Sequence, residues 1–290
     1  METATISNIL VVVRGKDDGE IVLDKANEIA RLSGAKLHVV RVVHEAFAEL
    51  SIHDIEISQE LKTFLLQAEE TMLQELIEPL KTSGTDVESA TVWHKSDWEA
   101  VLEIAADVSA DLIIKGTEHP VEGVIRTPSD WHLLRHAELP VMLVKPINWV
   151  KDAKILAALD VLDDEQEALN QRVLLRANQL RSLLGGQLHV ISVYPSVEHW
   201  VGPVTVVIDF DGVRKTVSRD IENRVKRLVD GLDIQVDEVH AVEGFTEVSI
   251  QKAVEDLNAE ILVMGTHRRS GTRGVIMGNT SEKILDTVKC

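Results

Sequence analysis

Cysteine is all but absent from the sequence: Cys290, the only one, has no partner for an internal disulfide and fits a reducing compartment. Basic residues are also short, 30 Lys and Arg against 48 Asp and Glu in 290 residues, a formal charge of −18. A surface that negative repels phosphate backbones and anionic lipid, so neither nucleic acid nor a membrane is an expected partner. No apolar run has the length needed to span a bilayer. The opening METATISNIL lacks the basic segment and long apolar core of a secretory signal, and a cytoplasmic location is expected. Familiar catalytic signatures are missing too. There is no G-x-S-x-G elbow, no G-x-x-x-x-G-K-[ST] phosphate loop, and no Cys beside a His. The many carboxylates fall on polar helix faces, where solvation explains them.

What the chain does contain, it contains twice. GAKLHVVRVVHE (34–45) returns as GGQLHVISVYPS (185–196), and ADLIIKGT (110–117) returns as AEILVMGT (259–266). GVIRTPSDWHLL (123–134) returns as GVIMGNTSEKIL (274–285). Near-equal offsets mean a tandem duplication. Pro146 and a loss of periodicity in KPINWVKDAK (145–154) mark the linker. Two domains are therefore expected, 1–148 and 151–290, in keeping with the length of the chain.

Within each half, short apolar runs alternate with helical patterns. The runs predict strands over 9–13, 37–43, 87–93, 112–115 and 141–145, then over 155–159, 188–193, 234–242 and 261–264. Segments such as 59–80 and 217–232 carry apolar residues at helical spacing. Continuous apolar strands alternating with helices predict two tandem flavodoxin- or Rossmann-like α/β domains, each a parallel sheet with helices on both faces. The second half has no run to match 141–145, so its sheet is expected to lack a fifth strand. Ligands of such sheets sit beyond the carboxyl ends of the strands, where strand order reverses. The stretch GTHRRSGTRGVIMGNTSEKIL (265–285) reads as strand end, loop and helix N-terminus, the arrangement that grips a phosphate.

On these residues, with TPSDWHLLR in the first half and GNTSEKILD…KC in the second, the chain resembles the tandem, E-type universal stress proteins over nearly its whole length. The resemblance implies strand order 3-2-1-4-5 and a pseudo-symmetric pairing of the two halves, with a homodimer as a further option. In one branch of that family it also implies ATP binding. There the loop after strand four reads Gly, two residues, Gly, nine residues, then Gly-Ser or Gly-Thr, and an Asp ends strand one.

Carried over, the match is partial. Gly265 and Gly278 have the required spacing, and Asp160 ends strand one, where it would meet adenine and ribose. Met264 and Val193 fall at adenine-lining positions. Arg268 replaces the middle Gly and loses its freedom at positive φ, though its guanidinium can bind phosphate oxygens. Asn279 replaces the Ser or Thr and is followed by Thr280 and Ser281; its amide still donates and also caps a helix. The site expected is therefore Asp160, Val193, Met264, Gly265, Thr266, Arg268, Arg269, Ser270, Gly271, Gly278, Asn279, Thr280 and Ser281. It would hold ATP or ADP with Mg²⁺, the cation offsetting the clustered phosphate charge. The product is expected to be a nucleotide-dependent switch. The alternatives are a stress-linked interaction protein without nucleotide, or a slow ATPase.

The first half departs further. Arg14 stands where the Asp should be, Thr127 and Pro128 replace the Gly-Ser pair, and Pro128 removes a backbone N–H. Its loop, EHPVEG, is acidic and also two residues shorter than its partner, and ATP binding is expected to be lost there. His132 and His136 stand four apart on one helix, a spacing that suits zinc, with His119, His94 and Asp130 as further ligands; solvated or capping histidines are the alternative. Trp93, Trp98 and Trp131 gather near the ligand edge, as core packing or as a substitute pocket. VTVVIDF (204–210) in the second half is an expected extra strand or hairpin arm, with Asp211–Gly212 as its turn, and Trp200 beside it would suit a lid or a dimer contact.

Overall fold

A β-strand covered on both faces needs apolar side chains at every position, and the runs of Ile, Leu and Val meet that need. In this computed structural model the described residues are 5–44, 55–117, 129–147, 149, 152–196, 209–266, 269–271, 274–276 and 279–290. The chain divides into two units between Asn148 and Trp149.

The first unit is a parallel sheet of order β3-β2-β1-β4-β5. Its strands are β1 (Asn8–Val12), β2 (Lys36–Val43), β3 (Val87–Trp93), β4 (Leu112–Gly116) and β5 (Val141–Val144). Helices α1 (Lys16–Ser33), α2 (Ile55–Thr82), α3 (Asp97–Asp107) and α4 (Ser129–His136) join them. Central β1 is sealed on both sides: Ile9, Leu10 and Val11 are 0% exposed. On one face Leu10, Val40, Val42 and Ile113 meet Ala100, Val101 and Ala105 of α3 and Leu133 of α4.

The second unit repeats the plan with β6 (Lys154–Ala158), α5 (Glu167–Leu184), β7 (Gln187–Tyr194), α6 (Phe210–Gly231), β8 (Glu238–Glu243), α7 (Thr246–Leu257) and β9 (Ile261–Met264). Its parallel sheet has order β8-β7-β6-β9, the first plan less its last strand. A short antiparallel ribbon, β10 (Arg269–Gly271) with β11 (Gly274–Ile276), and helix α8 (Asn279–Thr287) follow. Leu156 and Ile191 meet Ile250 and Val254 of α7 and Ile284 of α8.

The duplication is visible in its joints. Gly34 and Gly185 close α1 and α5 at φ 76° and 69°, where a Cβ would be strained. The acid of ADLIIKGT, Asp111, accepts from the N–H groups of Ser7 and Asn8 at 2.8 and 3.0 Å. The acid of AEILVMGT, Glu260, accepts from Lys154 N–H at 2.6 Å. Each ties the entrance of the fourth strand to that of the first.

Two expectations need correction. The strand predicted from 234 begins at Glu238: Ile234 N–H bonds Val229 O at 3.1 Å and so serves the end of α6, and Asp237 accepts from Leu188 N–H at 2.8 Å. Asp211–Gly212 is not a hairpin turn but the first turn of α6. Asp209 Oδ1 accepts from Gly212 N–H at 3.0 Å, and its carboxylate fills the space a Cβ would take. The remainder of the expected arm, 204–208, and Trp200 lie outside the described residues. Among the described residues no helix is long and apolar enough to cross a membrane.

Candidate functional site

The crevice of a parallel sheet opens where neighbouring connections leave the sheet in opposite directions. In the second unit that point lies between β6 and β9. Asp160 follows β6 there, with an exposed carboxylate. Its backbone is clamped by one buried side chain: Asn170 Oδ1 accepts from Asp160 N–H at 3.1 Å, and Asn170 Nδ2 donates to Asp160 O at 2.6 Å. Asp160 Oδ1 also accepts from Leu162 N–H at 3.3 Å. From α6, Arg224 donates to Val161 O at 3.2 Å and pairs with Asp164 at 3.1 Å, which fixes the same loop.

Val193 at the end of β7 and Met264 at the end of β9 pack half-buried against one core cluster, with Ala158 and Val242. Both therefore present apolar side chains near the carboxyl ends of strands that flank β6, the strand Asp160 follows. Gly265 follows at once, and a Cβ there would lie 2.6 Å from Leu169 Cδ2 and 2.7 Å from its Cγ. The glycine therefore has a packing reason of its own: it lets the end of β9 approach the first turn of α5. Thr266 is half-buried beyond it.

The loop is less open than its sequence suggests. Arg269, Ser270 and Gly271 form β10 and pair with Ile276, Val275 and Gly274. Asn279 and Thr280 open α8, and Ser281 in its first turn is 5% exposed, so its hydroxyl is not displayed at a free surface. Arg268 and Gly278 lie outside the described residues.

In the first unit the matching positions carry charged side chains engaged within the protein. Arg14, in the place of Asp160, donates from Nη2 to Thr117 O at 2.8 Å. Lys115, in the place of Met264, donates to Asp130 Oδ1 at 2.6 Å, with the two side chains 2% and 6% exposed. Thr127 and Pro128 fall outside the described residues. His132 and His136 do not converge on a point. Both rings lie nearly parallel to Trp98, with centroids at 5.3 and 4.7 Å, and 6.4 Å from each other. Burial, then the charges of Arg135 and His136, hold His132 below the ordinary imidazole value. Asp130, a suggested zinc ligand, is engaged by Lys115, and His94 Nδ1 is bonded at Ser96; His119 is outside the described residues. Trp98 packs against the core of α3 and α4.

One group escapes motif reading altogether. His189 on β7 meets Glu238 and His240 on β8. The only linear trace is the alternation in Glu238-Val239-His240, and the third member comes from strand register.

Comparison with known proteins agrees with this architecture. The model of the family described as "Universal stress protein family" matches residues 5–145 and 153–290. "Universal stress protein E" of Escherichia coli K12 is 28% identical over 99% of this chain and 93% of its own length. A homologue in Haemophilus influenzae is 26% identical over 98% and 95%. Among solved structures, a putative universal stress protein of Pseudomonas aeruginosa superposes with TM-score 0.72 at 26% identity, covering 99% of this chain and 91% of that one.

Proposed function

The chain belongs to the universal stress protein family, and from that premise we propose that it binds ATP or ADP at the carboxyl edge of its second sheet and works as a nucleotide-dependent switch. The observation that supports this most is the placing of the exposed Asp160 carboxylate after β6, whose neighbours carry Val193 and Met264 near their carboxyl ends, at the strand-order reversal. Asp160 would accept hydrogen bonds from the sugar hydroxyls, and Val193 and Met264 would take the base. The stretch from Gly265 to Ser281 would face the phosphates, with Mg²⁺ offsetting their charge. The first half would bind no nucleotide, since Arg14 and the Lys115–Asp130 pair stand at the matching positions.

A second reading, an interaction module without nucleotide, draws on Gly265 and the ribbon: both have structural uses that need no phosphate. Calorimetric titration with ATP–Mg²⁺ separates the two. Saturable binding at one nucleotide per chain, lost in Asp160→Ala, supports the switch. No heat and no thermal stabilisation at millimolar ATP would sink it. Phosphate release that requires Asp160 would add slow hydrolysis to the reading.

A further inference from the structure

The second half carries something the first lacks at the far end of its sheet, away from the strand-order crevice. His189, third in β7, pairs in register with Glu238, which opens β8. His240 stands two residues further along β8, on the same face. His189 Nδ1 lies 3.2 Å from His240 Nε2, and Glu238 Oε2 lies 3.7 Å from a nitrogen of each ring. Among the described residues this is the one group of three such side chains whose ligating atoms all fall within 4.8 Å of one another.

We propose that His189, Glu238 and His240 bind a divalent transition-metal ion of the zinc class, at the opposite end of the sheet from the nucleotide crevice. Tetrahedral zinc holds its ligands at roughly 2.0–2.2 Å, which sets them roughly 3.3–3.6 Å apart. The observed edges, 3.2, 3.7 and 3.7 Å, fall within about 0.1 Å of that range, so small side-chain adjustments suffice for binding. Two imidazoles and one carboxylate suit zinc, nickel or copper and not the hard cations magnesium and calcium. Three protein ligands leave a fourth position for water. Glu238 is 61% exposed and gives the ion a way in, while the His189 side chain at 8% anchors it from within.

The surrounding charges are mixed. Burial first, then His240 and Lys154, hold His189 below the ordinary imidazole value, against the pull of Glu238 and Asp237. Lys154 opposes a cation, but its ammonium is directed to Leu257 O at 3.1 Å.

The first half provides the comparison within the same chain. His38 faces Glu88 in the same register, again at 3.7 Å. There Ala90 holds the third position, Lys36 takes Glu88, and Asn8 Oδ1 lies 3.3 Å from His38 Nε2. Two of three donors are present, and both are engaged.

The test is calorimetric titration of the metal-free full chain with Zn²⁺, with Co²⁺ absorption as a report of geometry. One Zn²⁺ per chain is expected, with the intense visible bands of tetrahedral Co²⁺. His240→Ala and the exposed Glu238→Gln should each weaken binding by more than about tenfold, while unfolding in the absence of metal stays as in the parent. Unchanged affinity and stoichiometry in both variants, or a Co²⁺ spectrum without tetrahedral bands, would overturn the proposal. ATP titration of the same variants should match the parent, which keeps this result separate from that of the nucleotide reading.

Discussion

Removing Asp130 should damage the first half far more than removing it together with its partner. In Asp130→Ala the Lys115 ammonium stays almost wholly enclosed, 2% exposed, without the carboxylate 2.6 Å away. Breaking a buried pair from one side costs about 3–5 kcal/mol. The second half shows how the same place is filled without charge, by Met264 and Ser281. Copying it, Lys115→Met with Asp130→Ser removes both charges at once. Replacing a whole buried pair is often close to neutral, so the double variant should recover most of the loss. The coupling between the two sites should then exceed about 2 kcal/mol, within the range for contacting residues.

Urea unfolding followed by tryptophan emission suits the assay once Trp149 and Trp200 are replaced by Phe in parent and variants alike, because the other three of the five, Trp93, Trp98 and Trp131, lie in the first half. With a slope of about 2 kcal/mol per molar urea, Asp130→Ala should lower the midpoint of the first-half transition by about 1.5–2.5 M. The double variant should return to within about 1 M of the parent. A drop below about 0.5 M in Asp130→Ala, or single losses that simply add in the double, would refute the reasoning.

Two further outcomes follow from particular contacts. Gly265→Ala should destabilise the second half by about 1–3 kcal/mol, because its Cβ would press on Leu169. Leu169→Ala in the same chain should remove that increment in a thermal melt, and a penalty that persists in that background would rule out packing as its cause. Because folding lowers the pKa of His132, the unfolded chain takes up its proton first on acidification. First-half stability should therefore fall as pH drops below about 6.5, and His132→Gln should flatten that slope in unfolding curves taken between about pH 7.5 and pH 5.5.

Both sheets were legible in the sequence for one physical reason: strands buried on two faces cannot alternate. β4 and β9 run where their apolar stretches run. The error at β8 has the same source, since apolar character alone does not separate a strand from a helix end. Ile234 is buried, yet it caps α6. Asp209 to Gly212 misled for a related reason, because an N-cap and a hairpin turn draw on the same residues. At the crevice, the position of Gly265 was readable from spacing, but its contact with Leu169 was not, because the two lie far apart in the chain. The His189 group was hidden in the same way: its ligands share no linear motif, only a register between neighbouring strands.

The two halves differ in pairs, not residue by residue. Trp98 stacks on His132 between α3 and α4; at the matching places on α7 and α8, Glu247 bonds Lys283 at 2.8 Å. Lys115 with Asp130 becomes Met264 with Ser281, and Arg14 becomes Asp160. Such coupling is what a close-packed frame imposes, because a side chain changed alone leaves its neighbour without a partner or with a void. It follows that the first half is not restored by repairing the motif alone. Arg14→Asp restores the expected acid yet leaves Lys115 and Asp130 where the second half has Met264 and Ser281. It would also remove the guanidinium that donates to Thr117 O. The divergence of the first half is thus held in place by its own packing, whereas among the described residues the second half carries no such pair at the matching positions.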